Sequence, residues 1–151
     1  MPNITVRLPQ GVFDGAARAK IAQGLNEVAK TVEQIGNDPA NERLTWVVFD
    51  EIKSGCIFAG GADPTASIIP VIVWVRHPEG VIEQTGRESA VRLIHEVIAD
   101  AAPKDGRPVV SSIAVEEVVD GTWAGSGDIW RLADFARIAG FKHLQHLVQP
   151  A

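Results

Sequence analysis

One pattern runs through this chain twice: strand, glycine-marked turn, helix, strand, and a second glycine-marked turn. In the first copy Ile4, Val6 and Leu8 alternate with Asn3, Thr5 and Arg7, the period of a strand with one buried face. Pro9-Gln10-Gly11 breaks that strand. Ile21, Leu25, Val28, Val32 and Ile35 then recur at steps of four and three, which draws one apolar stripe along a helix. Gly36-Asn37-Asp38-Pro39 ends the helix. Residues 44–52 (LTWVVFDEI) are rich in β-branched and aromatic side chains and predict a second strand. Ser54-Gly55 turns the chain into a short strand, Cys56-Ile57-Phe58, closed by Gly60-Gly61. In the second copy residues 70–75 (PVIVWV) predict a strand apolar enough to be buried on both faces. Pro78-Glu79-Gly80 breaks it. Ile94, Val97, Ile98 and Ala101 mark a helix that Pro103-Lys104-Asp105-Gly106 ends. Residues 109–119 predict a strand, and Asp120-Gly121 turns into Thr122-Trp123 before Gly125-Ser126-Gly127.

The two copies stay in step. Gly11 and Gly80 are 69 residues apart, and the same spacing sets Leu25 on Ile94, Glu27 on Glu96 and Val28 on Val97. Gly55 and Gly121 are 66 residues apart, so the loops differ by three residues. Each copy is too small to bury a core alone. Side by side they predict an α+β fold: duplicated β-α-β units forming one four-stranded sheet with two helices on one face. The crossover inside each unit makes its two strands parallel. The expected organisation is a single domain over 1–151, with repeats at about 1–62 and 68–128 and a C-terminal helical tail over 129–151. Trp130, Ala133, Phe135, Ile138, Phe141 and Leu144 give that tail its apolar mass. The second sheet face is left bare, which points to self-association.

Charge and composition narrow the function. The formal net charge is -5, which points away from nucleic acid, because phosphate binding needs a basic surplus. The longest apolar run, 68–75, is interrupted by Pro70 and falls far short of the about 20 residues of a membrane span. Met1-Pro2-Asn3-Ile4 has neither a basic n-region nor an apolar h-region, so no signal peptide is expected and the cytoplasm is the default location. Cys56 has no companion for a disulfide and reads as a small buried apolar residue. His143 and His146 stand at i, i+3 with no third ligand in view, so both read as surface histidines. Gly60-Gly61 lacks the Lys-Ser/Thr of a phosphate loop. Neither a metal nor a cofactor is expected.

The chain opens Met-Pro. Removal of Met1 would leave Pro2 with a free secondary amine at the start of a strand, where proline is tolerated. Burial favours the neutral form of such an amine, which then serves as a general base near neutral pH. Met-Pro followed by strand, helix, strand and a Gly-rich hairpin resembles the tautomerase superfamily, the group of 4-oxalocrotonate tautomerase. The doubled length is similar to its fused members, above all malonate semialdehyde decarboxylase. That resemblance implies the fold derived above, a homotrimer, and Pro2 as the catalytic amine.

The resemblance extends to single residues. Pro39-Ala40-Asn41-Glu42-Arg43 resembles the decarboxylase segment whose acidic residue orients water or substrate, which implies that role for Glu42. Val75-Arg76-His77-Pro78 resembles the end of a strand whose arginine binds a substrate carboxylate, which implies Arg76. Trp123 and Phe58 correspond to aromatic site walls. The departures count equally. Val12 and Val81 stand where simple tautomerases carry an arginine, Trp46 and Val47 replace their second-strand arginine, and Pro78 replaces the decarboxylase's second one. His77 is the one further candidate for a second anionic group, while Arg7 and Arg43 read as solvated. The expected partner is thus a small substrate bearing one carboxylate.

Three readings follow. In the first, neutral Pro2 moves a proton on a small 2-oxo acid or its enol, an isomerase (tautomerase) reaction. In the second, protonated Pro2 acts as an acid beside Glu42, in decarboxylation of a 3-oxo acid or hydration or dehalogenation of an unsaturated one. In the third, the chain is a non-catalytic trimeric binding module.

Overall fold

The structure is a computed structural model that describes residues 2–148, apart from the side chain of Glu42. Two β-α-β units build it. The first holds β1 (Asn3–Pro9), α1 (Gly15–Val32), the single turn α2 (Pro39–Glu42) and β2 (Trp46–Ile52). The second holds β3 (Ile69–Pro78), α3 (Gln84–Ala101) and β4 (Val109–Val118). The sheet order is β2-β1-β3-β4, parallel within each unit and antiparallel where β1 meets β3.

Alternation sorts the two faces. Ile4, Val6 and Leu8 of β1 and Ile69, Val71, Val73 and Val75 of β3 are buried under the helices. They meet Ile21, Leu25 and Val28 of α1 and Ala90, Ile94 and Ile98 of α3. The opposite face carries Asn3, Thr5 and Arg7, together with Trp46, Val48, Trp74, Arg76 and Val110 at the matching register positions. Among the described residues no helix packs across it, and Trp46, Val48 and Val110 are at least half exposed. The expectation that β3 is buried on both faces therefore holds fully on the helix side and only partly on the other, where Ile72 and Trp74 are half-buried.

The doubling reaches individual polar contacts. Gly11 donates its N–H to Glu51 at 3.2 Å and Arg18 pairs with the same carboxylate at 3.1 Å. Gly80 likewise donates to Glu117 at 3.2 Å, and Arg87 pairs with it at 2.7 Å. Both glycines have positive φ, +76° and +82°, so the turn that presents each N–H favours a residue without Cβ. On the uncovered face, Arg7 pairs with Asp50 at 2.7 Å as Arg76 pairs with Glu116 at 2.9 Å.

Several local expectations change. The helix of the first unit ends at Val32, because Gln34 takes a left-handed conformation (φ +52°) ahead of Gly36. Ile35 therefore leaves the helical stripe and joins a second core cluster with Ala29, Phe135, Ala139 and Phe141. Cys56-Ile57-Phe58 forms no strand. A single bridge between Ala59 and Ala62 closes the Gly60-Gly61 turn, and Cys56 is exposed rather than buried. The tail is not one helix. Trp123–Gly125 (β5) and Asp128–Trp130 (β6) make a hairpin, Leu132–Ala139 forms α4, and a 3-10 helix spans Lys142–Leu147. Asp134 caps the Arg131 N–H at 3.0 Å and so starts α4 after the hairpin, while Gly140 in the left-handed region (φ +63°) stops it. The tail packs on the helix ends, leaving the bare sheet face bare.

α1 and α3 lie close together at Gly24, where an added Cβ would lie 2.6 Å from Cγ1 of Val97. Alanine in place of glycine inside a helix ordinarily gains about 0.5–1 kcal/mol. Here overpacking against a stiff β-branched side chain costs about 1–3 kcal/mol. Gly24→Ala is therefore expected to destabilise the protein in urea unfolding, and adding Val97→Ala to recover part of the loss. A stabilised Gly24→Ala protein would refute the close approach.

Candidate active site

Of the sequence candidates, Pro2, Arg76 and His77 lie at one end of the sheet, where β1 and β2 begin and β3 ends. Trp46 donates its N–H to the Pro2 carbonyl at 3.0 Å, which anchors Pro2 to the edge strand. Asn3 pairs with Arg76, so the ladder extended by one step sets Pro2 across from His77. By alternation Pro2 and His77 share the helix-covered face and both are buried, while Arg76 projects on the uncovered face. The nitrogen of a proline belongs to the backbone, so a free Pro2 amine would look along the strand, out of the sheet's end, rather than onto either face.

His77 is fully buried. Its Nδ1 lies 3.1 Å from the Pro78 carbonyl, which only accepts, so Nδ1 carries the proton. Nε2 has no hydrogen-bond partner among the described residues. Burial pushes the imidazole below its ordinary pKa of 6.5, although the Pro78 carbonyl and the nearby Glu117 carboxylate pull the other way. His77 is thus a neutral group in a dry setting. Burial also acts on Glu117, raising its pKa, but the Gly80 N–H and Arg87 outweigh that and hold it below the ordinary carboxylate value.

Beside this sheet end lies a cleft of about 420 Å³. Asn3 and Trp46 line it from the strand starts, Arg43 and Leu44 from the segment before β2, and Trp123, Gly125, Ser126 and Trp130 from the hairpin. The hairpin is fixed by aromatic stacking. Trp123 and Trp130 both meet the buried Phe135 of α4 edge-on, with ring centroids 5.7 Å and 5.5 Å away. Gly125 makes the tight hairpin possible, because a Cβ there would lie 2.6 Å from the Trp130 ring.

Of the sequence candidates, Trp123 lines this cleft and Pro2 lies next to it through Asn3. Arg76 does not line it and is engaged by Glu116. Phe58 stands 62% exposed near the Gly60-Gly61 turn, away from the cleft lining. The side chain of Glu42 lies outside the described residues, although its backbone closes α2 next to Arg43. Arg7 is not simply solvated, since it pairs with Asp50 and its guanidinium carbon lies 5.8 Å from the centroid of the Trp74 ring. His143 accepts a structural role instead of a free surface one, with Nε2 3.0 Å from the Val81 carbonyl. No group of three or more metal-binding side chains occurs among the described residues. Among them, too, no helix is long and apolar enough to cross a membrane. Sequence reasoning missed Arg43, Trp46 and Trp130 as cleft residues. Trp46 is largely exposed and Trp130 half-buried, and alternation alone gives neither.

No protein-family model matches the chain, and no curated protein is similar to it in sequence. Solved structures do match. Native Ps01740 superposes with a TM-score of 0.66 at 19% identity, over 82% of this chain and 99% of that one. The F6 fused 4-OT, an asymmetric trimer, gives 0.67 at 17% identity, over 84% and 94%. N1, a member of the cis-3-chloroacrylic acid dehalogenase family, gives 0.67 at 16% identity, over 98% and 92%. The fold implied by the tautomerase resemblance is thereby established, and identities this low carry the fold alone.

The depressed histidine has a measurable consequence. Its folded pKa lies below the unfolded value, so its contribution to stability is present above about pH 6.5 and is lost as pH falls towards the folded value. His77→Phe is expected to flatten the rise in unfolding free energy between pH 5 and 7 relative to the parent protein, measured by urea titration. An unchanged slope would mean that His77 does not stay neutral in the fold.

Proposed function

We propose that this chain, once Met1 is removed, is a tautomerase-type isomerase that uses the Pro2 amine as a general base on a small 2-oxo acid or its enol. One observation carries the reading: Pro2 is buried at the sheet end beside a tryptophan-lined cleft. An α-amino group titrates near pH 8 in unstructured peptides, and burial in general favours the neutral form of an amine. The neutral amine removes a proton next to the carbonyl and returns it elsewhere on the conjugated system. Trp123 and its neighbours exclude water, which strengthens the polar contacts holding the developing enolate. His77, neutral and buried across from Pro2, adds no positive charge to its surroundings at neutral pH.

A second reading has its own support. N1 matches over 98% of this chain, whereas the fused 4-OT matches over 84%. A match over 98% of the chain takes in nearly all of it, including the tail that supplies Trp130 and α4. Hydration or dehalogenation of an unsaturated acid, or decarboxylation of a 3-oxo acid, would use the same amine in its protonated form.

The two readings have opposite pH signs. General-base isomerisation of a 2-oxo acid enol rises with pH through the Pro2 pKa, while acid-assisted hydration of 3-chloroacrylate falls. Intact mass is expected to show loss of Met1. A chain kept acylated at Pro2 is expected to lose about 10²–10⁴-fold in rate, the usual worth of a general base. Retention of Met1 in the native protein would remove the amine and leave the binding-module reading.

The assembly we propose is a homotrimer formed through the uncovered sheet face. Val48 and Val110 offer exposed apolar area there, and the F6 fused 4-OT is a trimer. Light scattering is expected to give three chains per particle, and Val48→Asp with Val110→Asp to shift it towards the monomer. A monomeric parent protein would sink this assembly.

A further inference from the structure

The chain has nine arginines, and eight of them have a carboxylate within 3.6 Å. Among the described residues Arg43 alone has no such partner, and Arg43 lines the tryptophan cleft. Among the described residues no Asp or Glu lines it, and Arg43 is the one charged side chain there. Its neighbours are Trp46, Trp123 and Trp130, with Asn3 and Ser126 as the polar side chains. The cleft volume falls within the about 300–1,000 Å³ typical of small-molecule sites.

These features select a ligand class. A guanidinium recognises a carboxylate through two parallel N–H donors, and one such group serves one carboxylate. Three indole rings line the cleft, and a planar π-system stacks on such rings better than a saturated chain of equal size. We infer that Arg43, rather than Arg76, anchors the ligand carboxylate, and that the cleft takes a planar, conjugated monocarboxylate lying against Trp46, Trp123 and Trp130. Arg76 is already satisfied by Glu116, in the contact that its repeat counterpart Arg7 makes with Asp50, so its charge is committed to the sheet. The inference rests on the proposed function in placing the reacting carbon near Pro2, but the binding step itself does not require a free amine.

The test is calorimetric titration of the full chain with trans-cinnamate, in Met1-free and Met1-retaining forms. Cinnamate is expected to bind both forms. Arg43→Gln, folded by circular dichroism, is expected to bind it about tenfold more weakly, the loss of one charge-assisted contact. Cinnamyl alcohol, which lacks the charge, is expected to bind the parent and Arg43→Gln equally, and 3-cyclohexylpropanoate, which lacks planarity, to bind the parent more weakly than cinnamate. Arg43→Lys is expected to recover part of the affinity by restoring the charge. The inference is overturned if Arg43→Gln binds cinnamate as the parent does, if the loss follows Arg76→Gln instead, or if 3-cyclohexylpropanoate binds as tightly as cinnamate. Arg43-dependent cinnamate binding, together with no turnover of a panel of 2-oxo acid enols by the Met1-free form, would refute the Pro2 chemistry and leave this site standing. Turnover insensitive to Arg43→Gln would do the reverse.

Discussion

The antiparallel pairing of β1 with β3 holds this molecule together. Each β-α-β unit contributes two parallel strands and one long helix, and neither has enough apolar surface to stand alone. The β1–β3 ladder joins them, running from Asn3 opposite Arg76 to Arg7 opposite Ile72. It brings Val6 and Val73 together with no exposed surface on either, under α1 and α3. The same ladder delivers the first residues of the chain to the end of β3. The burial of Pro2 depends on that delivery, because a strand start at an open sheet edge would be solvated.

The second organising feature is how the chain disposes of its positive charge. The turn-linked pairs Arg18–Glu51 and Arg87–Glu117, and the face pairs Arg7–Asp50 and Arg76–Glu116, occupy corresponding places in the two units. Exposed pairs of this kind contribute little stability each, typically below about 1 kcal/mol. Their effect is on availability: a guanidinium held by a carboxylate is a poorer anchor for an incoming anion. In the segment between α1 and β2, Arg43 has no carboxylate partner among the described residues, and it lines the cleft beside the aromatic hairpin.

The tail turns a symmetric scaffold into an asymmetric one. In the first unit the residues after Gly55 make only the Ala59–Ala62 bridge, and Phe58 is left in solvent. In the second, Trp123 and Trp130 pair across a hairpin and rest on Phe135. The difference is α4, which supplies a buried aromatic floor to one hairpin and not to the other.

The sequence by itself determined the doubling, the strand and helix order and the buried faces, because periods of two and of three to four residues report directly which side chains share a face. It also marked Pro2, and it carried Trp123 through the place of that residue after the second glycine turn. Only the tertiary structure decided that β6, α4 and a 3-10 helix replace one long tail helix, since strand pairing of Ile129 with Ala124 and a left-handed Gly140 override local apolar periodicity. It also decided which arginine is free. Arg7, Arg43 and Arg76 look alike in a linear chain; what separates them is whether a carboxylate from another strand stands opposite, and that is set by register across the sheet, which no local pattern encodes.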